Sequence, residues 1–361
     1  MKPRNIAIAC GVAGVAFGLA AAAGIVYRKQ IKSVASLKRL TGYADGYDLY
    51  AIDIAYDYDL DRIIAAGVRD DQAYIDAVMA QVLPGMPVHV QAPQFACSAF
   101  VAVDAERRVR TGRNYDFKDD TSALLVRNHP RGGYASIGLA ALNNLGDNTP
   151  LDSAAGRAAA LMGPFAQLDG VNECGVSIAV LTLDSKPCDQ DTQRPVINTS
   201  LAIRLVLDRA ATTQDAVDLL SAYDMHAMAG RDYHFFINDA AGDARVVEWD
   251  PRDPDRACKA TPVRQVTNFY ACYGDEVLPN QKNGELGHGK ERAVAIANVL
   301  DAHVGAQDET IAWEALRAAA QEPNPEDITS NTQWSVVFDN TEPAAAITLR
   351  RHWGDVDAFA L

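Results

Sequence analysis

The chain changes texture three times along its length. A basic start, MKPRN, leads into a run from Ile6 to Tyr27 without a charged side chain, closed by RKQIK at Arg28 to Lys32. That run is close to the roughly 20 apolar residues that a spanning helix needs. It predicts a membrane anchor over residues 1–30, or a signal peptide cut near the GLAAAAG stretch at Gly18 to Gly24. With the basic terminus held inside, either reading places the remainder outside the cytoplasm, membrane-bound in the first case and secreted in the second. Residues 31–96 then read as a helical leader. Helical spacing runs over Asp59 to Gly67 and Asp70 to Leu83, stopped by Pro84 and Pro87, and the acidic residues and tyrosines of this segment read as a solvated, packed cap. Pro84 to Ala96 reads as an extended, accessible linker.

From Cys97 onward alternation replaces helical spacing. CSAFVAVDAERRVRTGRNYDF predicts strand, turn at Asp104 to Arg107, strand, and Gly175 to Asp184 is a further apolar β run. Thr199 to Asp224 is helical with a break at Ala211 to Thr213, where Thr213 is placed to cap the second helix. Tyr233 to Trp249 is a hairpin turning near Asp239 to Asp243. Gly289 to Val304 is helical, and TQWSVVFDN with AAAITLRRHW forms a last strand pair. This order predicts an α+β domain over residues 97–361, with helical layers packed on antiparallel sheets.

Composition narrows the function. A net charge of −14 disfavours a nucleic-acid partner, because a phosphate backbone requires a basic face. Hydrophobic residues make up 48% of the chain, enough for a large core. No CxxC pair occurs among the six cysteines, which argues against a structural zinc site, and no motif calls for a cofactor. Cys174 with Cys188 and Cys258 with Cys272 could form two disulfides in an oxidising compartment, or remain four free thiols.

Cys97 raises the chemical question. It lies among small residues at the mouth of a strand, and a thiol with a pKa of about 8.5 needs a base to become a nucleophile. None of the seven histidines (His89, His129, His226, His234, His288, His303, His352) is singled out for that role. Cutting the peptide bond between Ala96 and Cys97 would supply the base, since the freed α-amine, with a pKa of roughly 7.7–8.0, sits on the nucleophile itself. The hairpin would return Arg113 and Asp116 beside the thiol, a cation to favour the thiolate and a carboxylate to hold the amine. A buried strand cysteine alone would look the same, so the choice rests on what accompanies it.

What accompanies it resembles a known family. CSAF followed by GRNYDF, then DGVNECGVSIAVLTLD (Asp169 to Asp184), YHFFINDAAGDARVVEW, VTNFY (Val266 to Tyr270) and GHGKERAVAI (Gly287 to Ile296) occur in the order found in choloylglycine hydrolases and penicillin V acylases. These are linear amide C–N hydrolases of the N-terminal nucleophile superfamily. The resemblance implies a four-layer αββα fold with two stacked antiparallel sheets, no cofactor or metal, and a small-molecule N-acyl amide as substrate. It makes Cys97 nucleophile and, through its amine, general base, with Arg113 and Asp116 tuning and orienting it. Asn268 would bind the substrate or polarise its carbonyl, and Arg292 would steady the site. Asn172 is assigned a structural role in its turn.

Two features depart from the family pattern. Where bile-salt hydrolases carry an asparagine in LNF that donates to the oxyanion, this chain has Thr182 in LTL, so its hydroxyl or backbone N–H is expected to serve instead. That change argues against bile salts as the substrate. The long leader looks more like that of acyltransferase and ceramidase-like relatives, from which a propeptide is removed. The expectation is therefore a membrane-tethered or exported proenzyme that hydrolyses lipophilic N-acyl amides: fatty acyl amides, bile-salt conjugates or penicillin V-like compounds. The alternatives are acyl transfer to an amine, or an uncleaved homologue that only binds. Relatives with this fold often form tetramers, so a homo-oligomer is a further expectation.

Overall fold

The computed structural model describes residues 27–84, 96–145, 151–282, 284–324 and 331–361. Apart from Tyr27, the apolar run that predicts an anchor lies outside the described residues, as does the linker between Pro84 and Ala96. No helix among the described residues is long and apolar enough to cross a membrane.

In chain order the strands are β1 (Lys38–Arg39), β2 (Leu49–Ile54), β3 (Ala96–Val103), β4 (Val109–Asp116), β5 (Ala123–Asn128), β6 (Ser136–Ala141), β7 (Gln167–Asn172) and β8 (Ser177–Leu183). They continue as β9 (Val196–Asn198), β10 (Asp224–His226), β11 (Asp232–Asn238), β12 (Ala244–Trp249), β13 (Cys258–Pro262), β14 (Gln265–Val266), β15 (Thr332–Asp339), β16 (Ala344–Leu349) and β17 (Asp357–Ala360). The helices are α1 (Arg28–Ser36), α2 (Leu60–Ala65), α3 (Asp71–Val82), α4 (Ala154–Ala160), α5 (Thr199–Arg209), α6 (Thr213–Ser221), α7 (Lys290–Ala302) and α8 (Glu309–Ala319).

Two sheets dominate. One has nine strands in the order β1-β2-β5-β6-β7-β8-β11-β12-β13, the other six in the order β14-β3-β4-β15-β16-β17, and β9 with β10 makes a small parallel ribbon. Side-chain alternation in β3 shows how the layers stack. Cys97, Ala99 and Val101 join the main core with Tyr115 and the residues of the large sheet. Phe100 and Ala102 point the other way, into a second cluster with Ile296, Leu300, Ala312 and Leu316 of α7 and α8. Helices α5 and α6 pack against strands of the large sheet, which completes the αββα order.

The β3–β4 hairpin forms where the alternation places it. Asp104 Oδ1 accepts the Arg108 N–H at 2.8 Å and Asp104 Oδ2 meets Arg110 at 2.8 Å, while Arg107 takes a left-handed φ of 65°. Asn172 closes the turn between β7 and β8, its Oδ1 accepting from Cys174 and Val176 and its Nδ2 donating to the carbonyls of Leu207 and Ala210 at the end of α5. The described cysteines are all free thiols.

Three local expectations need correction. The leader is more than helices and a solvated, packed cap, because it also supplies a strand: β2 joins the large sheet, and Leu49, Ile52, Tyr56, Ile63, Tyr74, Val78 and Val82 are part of the main core. The tyrosines bury their rings and still satisfy their hydroxyls, Tyr56 on the Leu161 carbonyl and Tyr74 on that of Phe165. Second, β2 runs parallel to β5, so the large sheet is not antiparallel throughout. A strand that reaches its neighbour through a long excursion, here two helices and a hairpin in the other sheet, is free of the antiparallel constraint of a short turn. Third, the cap of α6 is Thr212, whose side chain accepts the Asp215 N–H, and Thr213 is the first helical residue.

Candidate active site

Cys97 sits second in β3, opposite Tyr115, with no exposed surface. Arg113 lies opposite Ala99, diagonal to Cys97 on the same face of the hairpin, within reach of a long side chain. Its Nη2 is 3.3 Å from Cys97 Sγ and also donates to the Val180 carbonyl. The guanidinium is fixed from behind by Asp169, whose Oδ2 lies 2.9 Å from Nε in a fully buried ion pair, and by the rings of Tyr115 and Trp334. Arg113 Nη1 has no hydrogen-bond partner among the described residues. In the continuous chain burial pushes the Cys97 thiol up to about 12, against the pull of Arg113.

The Asp116 carboxylate belongs to the opposite face of β4 from Arg113, so it is the Asp116 backbone and not its side chain that hydrogen-bonds the thiol. Its Oδ2 lies 3.2 Å from Arg292 Nη1 and accepts from Gln321 at 2.9 Å, and Oδ1 accepts the Thr332 hydroxyl at 2.6 Å. Burial pushes this carboxyl up, while Arg292 opposes that shift. Arg292, in the first turn of α7, donates through Nη1 to the Cys97 carbonyl at 2.8 Å and through Nη2 to Asn268 Oδ1 at 2.7 Å. The Asp116 carboxylate is therefore linked to the Cys97 carbonyl through Arg292.

Asn268 is the hub on the other side. Oδ1 accepts the Cys97 backbone N–H at 3.0 Å, and Nδ2 donates to the Thr182 carbonyl at 2.8 Å. The geometry adds a contact that the resemblance did not imply: Asn268 grips the nitrogen that would become the α-amine. Thr182 lies beside it, and its buried hydroxyl has no hydrogen-bond partner among the described residues.

The GHG segment makes this packing sterically feasible. Gly287 (φ +105°) and Gly289 (φ +81°) are left-handed, and a Cβ on the first would lie 2.1 Å from the Asn268 carbonyl oxygen, on the second 2.4 Å from Arg292 Nη2. Between them, the His288 backbone N–H donates to the Asn268 carbonyl at 2.8 Å.

All the residues singled out from sequence, Cys97, Arg113, Asp116, Thr182, Asn268 and Arg292, thus converge on one locus. Asp169, Gln321, Thr332 and Trp334 complete it and were not singled out. Asp169 falls in the DGVNECG stretch and lies in β7, ahead of the turn that Asn172 closes. Among the described residues no group of three or more His, Cys, Asp or Glu is placed to hold a metal.

A model of the family described as acyl-coenzyme A:6-aminopenicillanic acid acyl-transferase matches residues 103–352. The chain belongs to this family. Cys97 lies a few residues before the matched region. A search of the curated proteins finds no match. Among solved structures, a mutant of conjugated bile acid hydrolase from Clostridium perfringens superposes with a TM-score of 0.56 at 14% identity, covering 73% of this chain and 92% of the other. Penicillin V acylase from Agrobacterium tumefaciens gives 0.52 at 20% identity, covering 73% and 86%. At these identities the likeness establishes the fold alone, the layered αββα architecture expected from the sequence.

Proposed function

We propose that this family member is a cysteine N-terminal nucleophile amidase, formed when the chain is cut between Ala96 and Cys97. The observation that carries the reading is the surround of Cys97: a cation at 3.3 Å from its sulfur and an amide oxygen at 3.0 Å from its nitrogen. No histidine is in hydrogen-bond contact with Cys97 among the described residues, so the base has to come from elsewhere. Activation begins with Sγ attacking the Ala96 carbonyl carbon. The C–N bond breaks as the thiol proton passes to the departing Cys97 nitrogen, which frees the α-amine, and water then hydrolyses the thioester to release the thiol and the Ala96 carboxylate.

In turnover the amine takes the thiol proton and the thiolate, favoured by Arg113, attacks the amide carbonyl of the substrate. The oxyanion is met by the Thr182 hydroxyl or by the second Nδ2 hydrogen of Asn268. Collapse breaks the C–N bond, the ammonium gives its proton to the leaving amine, and water then releases the acid from the thioester.

The acyl amides named for the two neighbouring enzymes support an N-acyl amide as the substrate class. A lipophilic acyl group is favoured because an N-terminal tether would hold the pocket at a membrane. A mass-spectrometric screen of amide conjugates tests this, and release confined to glycine and taurine bile salts would overturn it. The description of the matching family favours a second reading, in which an amine replaces water as acceptor. Adding amines and looking for new amide product separates the two.

After the cut the leader is expected to remain in place as a noncovalent chain. The β2–β5 ladder and the leader side chains in the main core support this.

A further inference from the structure

The short segment that carries Asn268 is gripped from behind by two buried ionisable residues with no part in the chemistry above. His234 on β11 and Glu248 on β12 are both fully buried. His234 Nδ1 lies 3.3 Å from Glu248 Oε2, and Nε2 lies 3.0 Å from the Thr267 carbonyl oxygen. Glu248 Oε2 accepts the Ala271 N–H at 2.9 Å and Oε1 accepts the Cys272 N–H at 2.7 Å.

Counting hydrogens assigns the protonation state. A carbonyl oxygen can only accept, so Nε2 carries a hydrogen. Glu248 accepts two backbone N–H bonds, so the contact at Nδ1 is read as a ring N–H that donates to Oε2. The ring is then an imidazolium with both N–H groups satisfied. The ionisable groups around it leave that count unchanged. On the Ala271–Tyr273 turn, burial and Glu248 push the Cys272 thiol up to about 12. Beyond β12, Asp250 accepts the Tyr273 hydroxyl, and next to His234 on β11 Asp232 is paired with Arg256.

The clamp holds Thr267 on one side of Asn268 and Ala271 and Cys272 on the other. Asn268 in turn grips the Cys97 nitrogen, Arg292 and the Thr182 carbonyl. We propose that His234 and Glu248 form a buried imidazolium–carboxylate clamp whose task is to position Asn268 against the α-amine of Cys97. This rests on the reading of Cys97 as an N-terminal nucleophile and adds two positioning residues to it.

The test uses the full chain, wild type and with His234→Asn or Glu248→Gln. Nitrogen NMR of the wild-type protein labelled on histidine should show a hydrogen on both His234 ring nitrogens at neutral pH. Folded variants, verified by circular dichroism, should lose on the order of 10²-fold in kcat with little change in KM, and the acid limb of the pH–rate profile, set by the amine, should move. A processed, active wild type with a neutral His234 ring overturns the clamp, as do folded variants with unchanged kcat and pH profile. Should a variant fail to fold, the ring's protonation in the wild type decides. An unprocessed, unreactive wild type with a doubly protonated ring overturns the cysteine reading instead, and leaves the protonation assignment standing.

Discussion

Replacing Gly289 by alanine separates a backbone effect from a site effect, because the protein contains a matched control. Gly289 and Gly67 have nearly the same φ, +81° and +80°, yet a Cβ on Gly67 meets nothing within 4 Å. For Gly67→Ala the cost is the left-handed strain alone, about 1 kcal/mol. For Gly289→Ala the new Cβ would sit 2.4 Å from Arg292 Nη2 and 2.9 Å from Thr267 Oγ1. Restoring ordinary contact requires the guanidinium to retreat by about 1 Å. That displacement endangers the 2.7 Å bond to Asn268 and the 2.8 Å bond to the Cys97 carbonyl. Losing one such charge-assisted bond adds about 1.5–3 kcal/mol, for a total of about 2.5–4 kcal/mol. Denaturant melts give the two stability losses, and mass spectrometry of freshly expressed protein follows the appearance of cut chains. Gly67→Ala should be cut at the wild-type rate and Gly289→Ala severely slowed. Equal effects in both assays, or wild-type processing of Gly289→Ala, would refute the placement of Arg292 at the reaction.

Other perturbations probe the neighbouring contacts. Asp116→Asn keeps the shape but strips the charge facing buried Arg292, so processing should slow sharply in a folded protein; an unaffected cut would show that Asp116 does not steady Arg292 for this chemistry. In the uncut wild-type chain, burial pushes the Cys97 thiol up to about 12, so alkylation of Cys97 should lag far behind that of free cysteine at pH 8, and equal rates would contradict its burial. Thr182→Val removes a hydroxyl with no described partner, so stability should hold or rise while kcat drops on the order of 10²-fold; unchanged turnover would assign the oxyanion to another donor. On size exclusion after cutting, the leader should co-elute with the residue 97–361 chain and separate only in denaturant, whereas dissociation in buffer would contradict its role as part of the core.

How far the sequence disclosed this arrangement depended on whether a contact was local. The β3–β4 hairpin was readable because alternation and its turn lie in one stretch, and α2 and α3 because their acidic caps, Asp59 and Asp70, precede helical spacing. Strand β2 was hidden: LYAIDI is short and lies among acidic residues and tyrosines, and its partner β5 is far along the chain. In the site, the positions of Arg113, Asp116, Asn268 and Arg292 were accessible through the resemblance. The division of labour between Arg113 at the sulfur and Asp116 behind Arg292 was not, because it follows from opposite faces of β4 combined with the placement of α7. Gln321 and Thr332 reach Asp116 only through tertiary packing, and no local pattern marks either one.

The central claim, that the base for Cys97 is released by cutting its own peptide bond, is tested most directly by the N-terminus of the purified protein. N-terminal sequencing with intact mass analysis should find a chain beginning at Cys97, absent when Cys97 is replaced by alanine. A single uncut chain in the wild type, or a Cys97→Ala protein cut at the same bond, would contradict it.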